Sequence, residues 1–318
     1  MAPFLFGGDR MRTAVIGCGS LGLLWGARFT QIPGALTLLT RSKEQQQQLN
    51  QYGIDFESLD GRKKQIPVQA MWIEELPQPV QFDMVHVMVK QNHLPPIIPI
   101  LQEITSPTSR LLFWQNGLGH EKQIELLANR PWTYAAITTE GAHRSSYNTV
   151  KHTGKGETWV GPFPKLLTFD PPIQEWIIAV ENLGLQIAMD QQIFRRMWEK
   201  LAINCVVNPI TALHQVKNGE LLSSEYISEI EKISREVQAV AQKKGFSFEL
   251  DDMIQKVAYV CRNTKNNYSS MLQDLLQGRQ TEIDYMNGAI IRYGKEEKIP
   301  TAYNQYLVER IHHRENNG

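Results

Sequence analysis

Lys200, Asn204 and Asn208 recur at intervals of four within Trp198-Glu199-Lys200-Leu201-Ala202-Ile203-Asn204-Cys205-Val206-Val207-Asn208-Pro209. In a helix each step of four drifts by about 40°, so the ammonium and the two amides form one polar stripe. Leu201, Ile203, Val206 and Val207 around them are too apolar for a solvent-facing helix. An unpaired buried polar group costs about 1–3 kcal/mol, so the stripe needs partners. Two readings are open. One is an ordinary helix whose polar face is solvated or bonded to neighbouring backbone. The other is a catalytic ammonium beside amides that orient a small polar substrate.

A second stretch carries phosphate chemistry. Gly17-Cys18-Gly19-Ser20-Leu21-Gly22 lies between the apolar run Thr13-Ala14-Val15-Ile16 and a helical pattern through Leu23, Leu24, Ala27 and Phe29. Leu36-Thr37-Leu38-Leu39-Thr40 follows as a further strand. Strand, glycine-rich turn, helix and strand within about 30 residues is the βαβ unit of dinucleotide-binding folds. The first glycine permits the tight turn, the second lets backbone approach a pyrophosphate, and the third lets the helix pack on the strand. N–H groups at the helix start then point at the phosphates. Cys18 reads as a small residue filling the turn. After the second strand an NAD site usually places Asp or Glu for the ribose 2′-hydroxyl. Here the residues are Arg41-Ser42-Lys43, with no carboxylate before Glu44. A guanidinium suits a 2′-phosphate, so the expected cofactor is NADP, taken as NADPH.

The elements that must hold these groups can be read along the chain. Residues 82–89 predict a strand with Lys90 at its carboxyl end, and residues 110–114 another, followed by Gln115-Asn116-Gly117. Ligands of open parallel sheets bind beyond the carboxyl ends of the strands, so Lys90 and Asn116 are expected on the rim of the glycine loop. His86, inside its strand, reads as a packed core histidine. Gln45 to Gln48 read as an exposed helix face, and Gly61-Arg62-Lys63-Lys64 as a hairpin turn. Residues 134–139 predict a strand, 140–143 a turn, and 150–161 a hairpin around Gly154 and Gly156. A helix over 173–182 and a strand over 185–189 complete the sheet; from Gln191 onward helical patterns dominate. The expected fold class is α/β: an N-terminal Rossmann-like dinucleotide-binding domain over 11–190, then an all-helical C-terminal domain over 191–314 for substrate and catalysis. Within the latter, 269–276 reads as a helix ended by Gly278, and Thr281-Glu282-Ile283-Asp284 as a helix start. Local roles suffice there: Thr281 as N-cap, Asp284 closing a near capping box, Glu282 favouring the helix dipole.

Composition narrows the function classes. With 318 residues, 42% hydrophobic and 21% charged, the chain can build two cores. Lys+Arg and Asp+Glu are both 33, and no basic block resembles a nucleic-acid arm. Cys18, Cys205 and Cys261 have no CxxC spacing, so neither a disulfide scaffold nor a metal site is expected, and a reducing cytoplasm fits. No apolar run reaches the roughly 18 residues of a membrane span. Residues 1–10 lack the marks of a signal peptide, and Met11 directly precedes the first strand. They are expected to form an extension outside the fold. Ile254, Val257 and Tyr259 suit either a core or a subunit partner, so a homodimer is compatible with the sequence.

Several stretches together resemble the ketopantoate reductase (2-dehydropantoate 2-reductase) family. They are GCGSLGLLWGARF, Val89-Lys90, QNGLG from Gln115, KLAINCVVNPITAL from Lys200, KNGEL from Lys217 and SSMLQDLLQGRQTEIDYMNG from Ser269. The last long two are much more specific than the glycine motif. The resemblance implies a two-domain enzyme that reduces 2-dehydropantoate to (R)-pantoate with NADPH for pantothenate and coenzyme A synthesis, with a cleft between the domains. It implies that Lys200 is the catalytic lysine and Glu282 a substrate-binding glutamate. It further implies that Asn204, Asn208, Asn218 and Ser270 line the substrate site. Gly17, Cys18, Gly19, Ser20, Leu21 and Gly22, with Arg41, Lys90 and Asn116, are implied on the cofactor side. Two departures stand out. Gln91-Asn92-His93 replaces an aromatic followed by glutamine in many members, and Ala302 stands where a second proline is common.

In the expected reaction hydride reaches the C2 ketone and negative charge grows on its oxygen. Lys200 would stabilise that charge and protonate it. Burial would depress the pKa of Lys200, and an ionised Glu282 nearby would oppose this. Two other functions fit parts of the pattern: an NADP-dependent reductase of another 2-oxo or β-hydroxy acid, and an NADPH-binding sensor without turnover. The sensor would be expected to have lost Lys200 or Glu282, and both are present.

Overall fold

The computed structural model describes residues 11–77, 79–127, 131–164 and 168–317; the expected extension over 1–10 lies outside them. Contacts divide the chain into two compact units. The first runs through Gln115 and includes His120–Ile193; the second comprises Asn116–Gly119 and the chain from Phe194 onward.

The first unit alternates strands and helices. It contains β1 (Arg12–Ile16), α1 (Ser20–Phe29), β2 (Ala35–Thr40), α2 (Lys43–Tyr52), β3 (Ile54–Glu57), β4 (Lys63–Ile66), β5 (Gln69–Trp72) and β6 (Met84–Val87). Then come α3 (Ile98–Ile104), β7 (Arg110–Phe113), α4 (Glu121–Ile124), β8 (Trp132–Thr138), β9 (Gly141–Arg144), β10 (Thr149–Gly154), β11 (Thr158–Pro162), α5 (Pro171–Glu181) and β12 (Ile187–Met189). The main sheet has the order β12-β11-β8-β7-β6-β1-β2-β5. From β5 to β8 every neighbouring pair is parallel. That stretch reproduces the order 3-2-1-4-5-6 of doubly wound dinucleotide folds. The order reverses between β1 and β6, which places the glycine turn after β1 at the switch point. Strand β11 runs antiparallel to β8, and β12 parallel to β11.

Covered on both faces, β6 is buried along its whole length and β1 from Thr13 to Ile16. Trp25, Phe29, Trp114 and Trp176 pack in the core, with His86 among them, 4.4 Å from Phe29 and 5.0 Å from Trp176 by ring centroids. His86 Nδ1 accepts the Trp114 indole N–H at 3.3 Å. Burial pushes the imidazole down to about 3, so it is a neutral packing group. A buried polar cluster sits alongside. Glu140 Oε2 lies 3.1 Å from Arg28 Nη2 and 2.5 Å from His152 Nε2.

A four-stranded sheet of order β4-β3-β10-β9 corrects two expectations. Residues 141–144 form β9, not a turn, and pair antiparallel with β10. Residues 150–161 do not form a hairpin, because β10 and β11 belong to different sheets. The chain crosses at Gly156, where a Cβ would come within 2.5 Å of the backbone of Thr139 and Glu140. Thr139 N–H donates to Glu157 O at 2.9 Å there, so the chain joins the end of β8 instead of returning along β10. Gln45 also departs from the expected exposed face of α2, being buried.

The second unit is helical among the described residues from Phe194. It holds α6 (Ile193–His214), α7 (Ile227–Lys243), α8 (Leu250–Asn263), α9 (Ser270–Leu276), α10 (Asn287–Glu297) and α11 (Ala302–Asn317). Ile230, Ile233, Val237 and Val240 form the buried stripe of α7. Val257 of α8 is core, while Tyr259 is exposed. Pro209 inside α6 has no N–H for the carbonyl of Cys205. Asn287 Nδ2 donates to that carbonyl at 2.9 Å and to Asn304 Oδ1 at 2.9 Å. Asn304 in turn donates to Glu236 at 2.7 Å. The fold is α/β, a Rossmann-like domain followed by a helical one.

Candidate active site

The phosphate loop is built by steric demand at two glycines and open space at a third. Gly17 has φ +98°, and a Cβ there would stand 2.7 Å from the backbone at Met88 and Val89. Gly22, on the first turn of α1, could not carry a Cβ, which would lie 2.0 Å from Gly17 O. A Cβ on Gly19 would meet nothing within 4 Å. The loop is therefore tight against β6 and α1 and open where backbone would approach a ligand. Gly19 precedes α1 without a side-chain cap, and no acidic residue lies in the first turn. N–H groups at a helix start without a side-chain cap or a nearby carboxylate suit an anion. Cys18 is buried, its thiol 3.6 Å from Leu39 O and pushed by burial up to about 12. It fills the turn as an inert thiol.

At the edge after β2, Arg41 is exposed and its Nη1 lies 3.4 Å from His93 Nε2. Its carbonyl accepts the Trp72 indole N–H at 3.2 Å. Burial, then the charges of Arg41 and Lys90, hold His93 below the usual histidine range. Arg41 and Lys90 thus form one electropositive patch at His93. Asn116 groups with the second unit. There Leu118 N–H donates to Tyr285 O at 3.2 Å, and a Cβ on Gly119 would touch Arg292 Nη2 at 3.0 Å.

In the second unit α6 carries the polar stripe. Lys200 and Asn204 are partly buried and Asn208 is buried. Burial lowers the Lys200 ammonium from 10.5 to about 8, and the charge of Glu282 opposes that shift. Asn208 Nδ2 reaches Ser270 Oγ at 3.5 Å and Met286 Sδ at 3.4 Å. Ser270 opens α9, whose cap is Ser269; Ser269 Oγ accepts Leu272 N–H at 3.2 Å and the Thr211 hydroxyl at 2.7 Å. Asn218 Nδ2 donates to Thr264 Oγ1 at 2.9 Å and not to the Asn208–Ser270 pair, and its buried Oδ1 lacks a hydrogen-bond partner.

The expected helix start at Thr281 is replaced by a 3-10 turn. Ile283–Tyr285 is that turn, and α10 begins only at Asn287. Thr281 Oγ1 accepts Ile283 N–H at 3.3 Å, while its own N–H donates to Glu315 at 2.7 Å. Asp284 lies 3.1 Å from His312 and caps nothing, and Glu282, only 8% exposed, makes no cap hydrogen bond. The capping account fails because tertiary partners take these groups. Glu282 is buried, and its charge acts on Lys200. Two residues escaped the sequence reading. Arg144 Nη1 and Gln45 Nε2 donate to Cys18 O at 3.2 and 2.8 Å. Neither carries a local signal, since one sits in an unrecognised strand and the other in a glutamine run.

Family models described as "Ketopantoate reductase PanE/ApbA" and "Ketopantoate reductase PanE/ApbA C terminal" match residues 13–165 and 192–315. The chain belongs to the ketopantoate reductase family. It is 33% identical over 301 residues to the 2-dehydropantoate 2-reductase of Listeria monocytogenes, covering 94% of this chain and 95% of that one. A crystal structure of the probable 2-dehydropantoate 2-reductase of Bacillus subtilis shares its fold with a TM-score of 0.79 at 28% identity, over 96% of this chain and 100% of the other. A structure of D-mandelate dehydrogenase with NADH and anilino(oxo)acetate superposes with a TM-score of 0.89 at 24% identity, over 96% and 99% of the chains. That likeness shows the fold. As a member of the family the chain is an oxidoreductase with a dinucleotide-binding domain.

Proposed function

We propose that this chain reduces 2-dehydropantoate to (R)-pantoate with NADPH, in the synthesis of pantothenate and coenzyme A. The observation that carries the reading is the partly buried Lys200 ammonium on α6, lowered by desolvation to about 8 while the charge of Glu282 opposes that shift. Asn208 and Ser270 meet in the same helical unit. A proton donor near neutrality, a carboxylate and a set of amides suit a small hydroxylated 2-oxo acid.

Bound NADPH supplies the hydride. Lys200 stabilises the negative charge that grows on the C2 oxygen and gives that oxygen its proton. At pH 7 a group near 8 is about nine-tenths protonated, so the donor is ready and still readily gives up its proton. Glu282 accepts a hydrogen bond from the substrate hydroxyl. Ser270 donates to the substrate carboxylate, and Asn204, Asn208 and Asn218 fix its orientation. Within the cofactor set of Gly17 to Gly22, Arg41, Lys90 and Asn116, the loop N–H groups hold the pyrophosphate and Arg41 the 2′-phosphate. The D-mandelate dehydrogenase structure holds NADH on the same fold, so the fold alone does not choose the cofactor; the guanidinium after β2 supports NADPH. Free thiols at all three cysteines support a cytoplasmic setting, and among the described residues no helix is long and apolar enough to cross a membrane.

The test is NADPH consumption with 2-dehydropantoate, beside NADH and beside a panel of 2-oxo acids including phenylglyoxylate. Selective turnover of 2-dehydropantoate with NADPH is expected. Faster turnover of another 2-oxo acid would overturn the substrate assignment.

A further inference from the structure

Arg144 belongs to β9 in the small sheet, yet both ends of the residue reach the phosphate loop. Its backbone N–H donates to Ser20 Oγ at 3.0 Å, and its Nη1 donates to Cys18 O at 3.2 Å. Gln45 Nε2 bonds the same carbonyl at 2.8 Å and also Tyr147 O at 2.8 Å. Donors from two separate elements therefore fix one peptide of the loop.

The direction of that peptide matters. In a planar trans peptide the carbonyl and the following N–H point in opposite directions. With Cys18 O held toward Arg144 and Gln45, the N–H of Gly19 is aimed the other way, and Gly19 is the glycine that borders open space. Ser20 Oγ accepts from Arg144, which leaves its proton to donate elsewhere. The guanidinium also adds positive charge beside the start of α1, whose first turn holds no acidic residue.

We propose that Arg144 is a positioning residue for dinucleotide binding: it sets the Cys18–Gly19 peptide and the Ser20 hydroxyl toward the cofactor pyrophosphate and reinforces that site with its charge. This rests on the reading of the glycine loop as the dinucleotide site, and it is independent of whether the dinucleotide carries a 2′-phosphate.

Two probes separate those issues. ADP-ribose carries the pyrophosphate without a 2′-phosphate, and adenosine 2′-monophosphate carries only the 2′-phosphate. Binding of both is measured by calorimetry or by competition against NADPH fluorescence. Arg144→Ala is expected to weaken ADP-ribose by about tenfold or more, as loss of a charge-assisted contact would. It should change adenosine 2′-monophosphate by less than about threefold. NADPH and NADH should then weaken by the same factor. Arg41→Ala should give the opposite pattern. Arg144→Lys, which keeps the charge without the planar fork, should recover part of the ADP-ribose affinity. Equal losses on both probes would mean a general loop defect and overturn the proposal, as would unchanged ADP-ribose binding. If Arg144→Ala shows no cooperative unfolding transition, Arg144→Lys decides alone. An intermediate loss on ADP-ribose supports the proposal, and wild-type affinity overturns it. Failure of Arg41→Ala to discriminate would remove the NADPH assignment and leave the Arg144 result standing.

Discussion

Replacing Glu282 by glutamine tests the electrostatic core of the mechanism without removing much volume. Burial lowers Lys200 to about 8, and the Glu282 charge is the opposing influence. An adjacent opposite charge shifts a pKa by about 1–3 units, so the lower end of that range puts Lys200 near 7 in the variant. If the ammonium must be protonated, wild-type kcat/KM falls as pH rises through about 8. In the variant the same fall comes about one unit lower. At pH 6 both lysines are about nine-tenths protonated or more. At pH 8 the wild type is about half protonated and the variant about one-tenth. Glu282→Gln therefore loses about fivefold more activity at pH 8 than at pH 6, in addition to a pH-independent loss from substrate binding. The assay is kcat/KM for 2-dehydropantoate from pH 6 to 9.5 at saturating NADPH. A variant-to-wild-type ratio that stays constant across that range would refute the coupling. A wild-type profile without a descending limb would remove Lys200 as proton donor.

Lys200→Met should lower turnover by about 100-fold or more, the usual scale of a general acid. The same variant should be more stable at neutral pH. A lysine at 10.5 unfolded and about 8 folded costs the native state up to about 3 kcal/mol while charged. That cost is fully present below pH 8 and fades as pH rises toward 10.5, so the advantage of Lys200→Met in urea unfolding should shrink over that window. Equal stability of the two proteins at pH 7 would contradict the burial argument. Glu140→Ala should destabilise the protein by about 3–5 kcal/mol, because it leaves the buried Arg28 guanidinium without its carboxylate. A loss under about 1 kcal/mol in urea unfolding would show that water reaches Arg28.

The elements legible in the chain were those with a strong local period. The βαβ unit around Gly17 to Gly22 is fixed by an apolar run, three glycines with distinct steric duties and a helix, all within a few turns. The Lys200, Asn204 and Asn208 stripe follows from helical spacing alone, which needs no partner to be visible. His86 in its apolar strand reads correctly for the same reason, since a strand covered on both faces buries whatever it holds.

Where the reading failed, the deciding partner lay far away in the chain. Residues 150–161 read locally as a hairpin, but local pattern does not say which sheet a strand joins; the close approach of Gly156 to Thr139 and Glu140 decides that. Thr281 and Asp284 carry capping residue types, yet Glu315 and His312 engage them, and α10 starts later. Gln45 belongs to a polar run and is buried because Cys18 O and Tyr147 O accept its amide. Local sequence thus determined the periods, the steric need for glycine and the identity of the charged groups. Only the tertiary structure decided which carbonyl each donor meets and how far a lysine's charge is taken from water, because desolvation and long-range pairing depend on residues that no local pattern names.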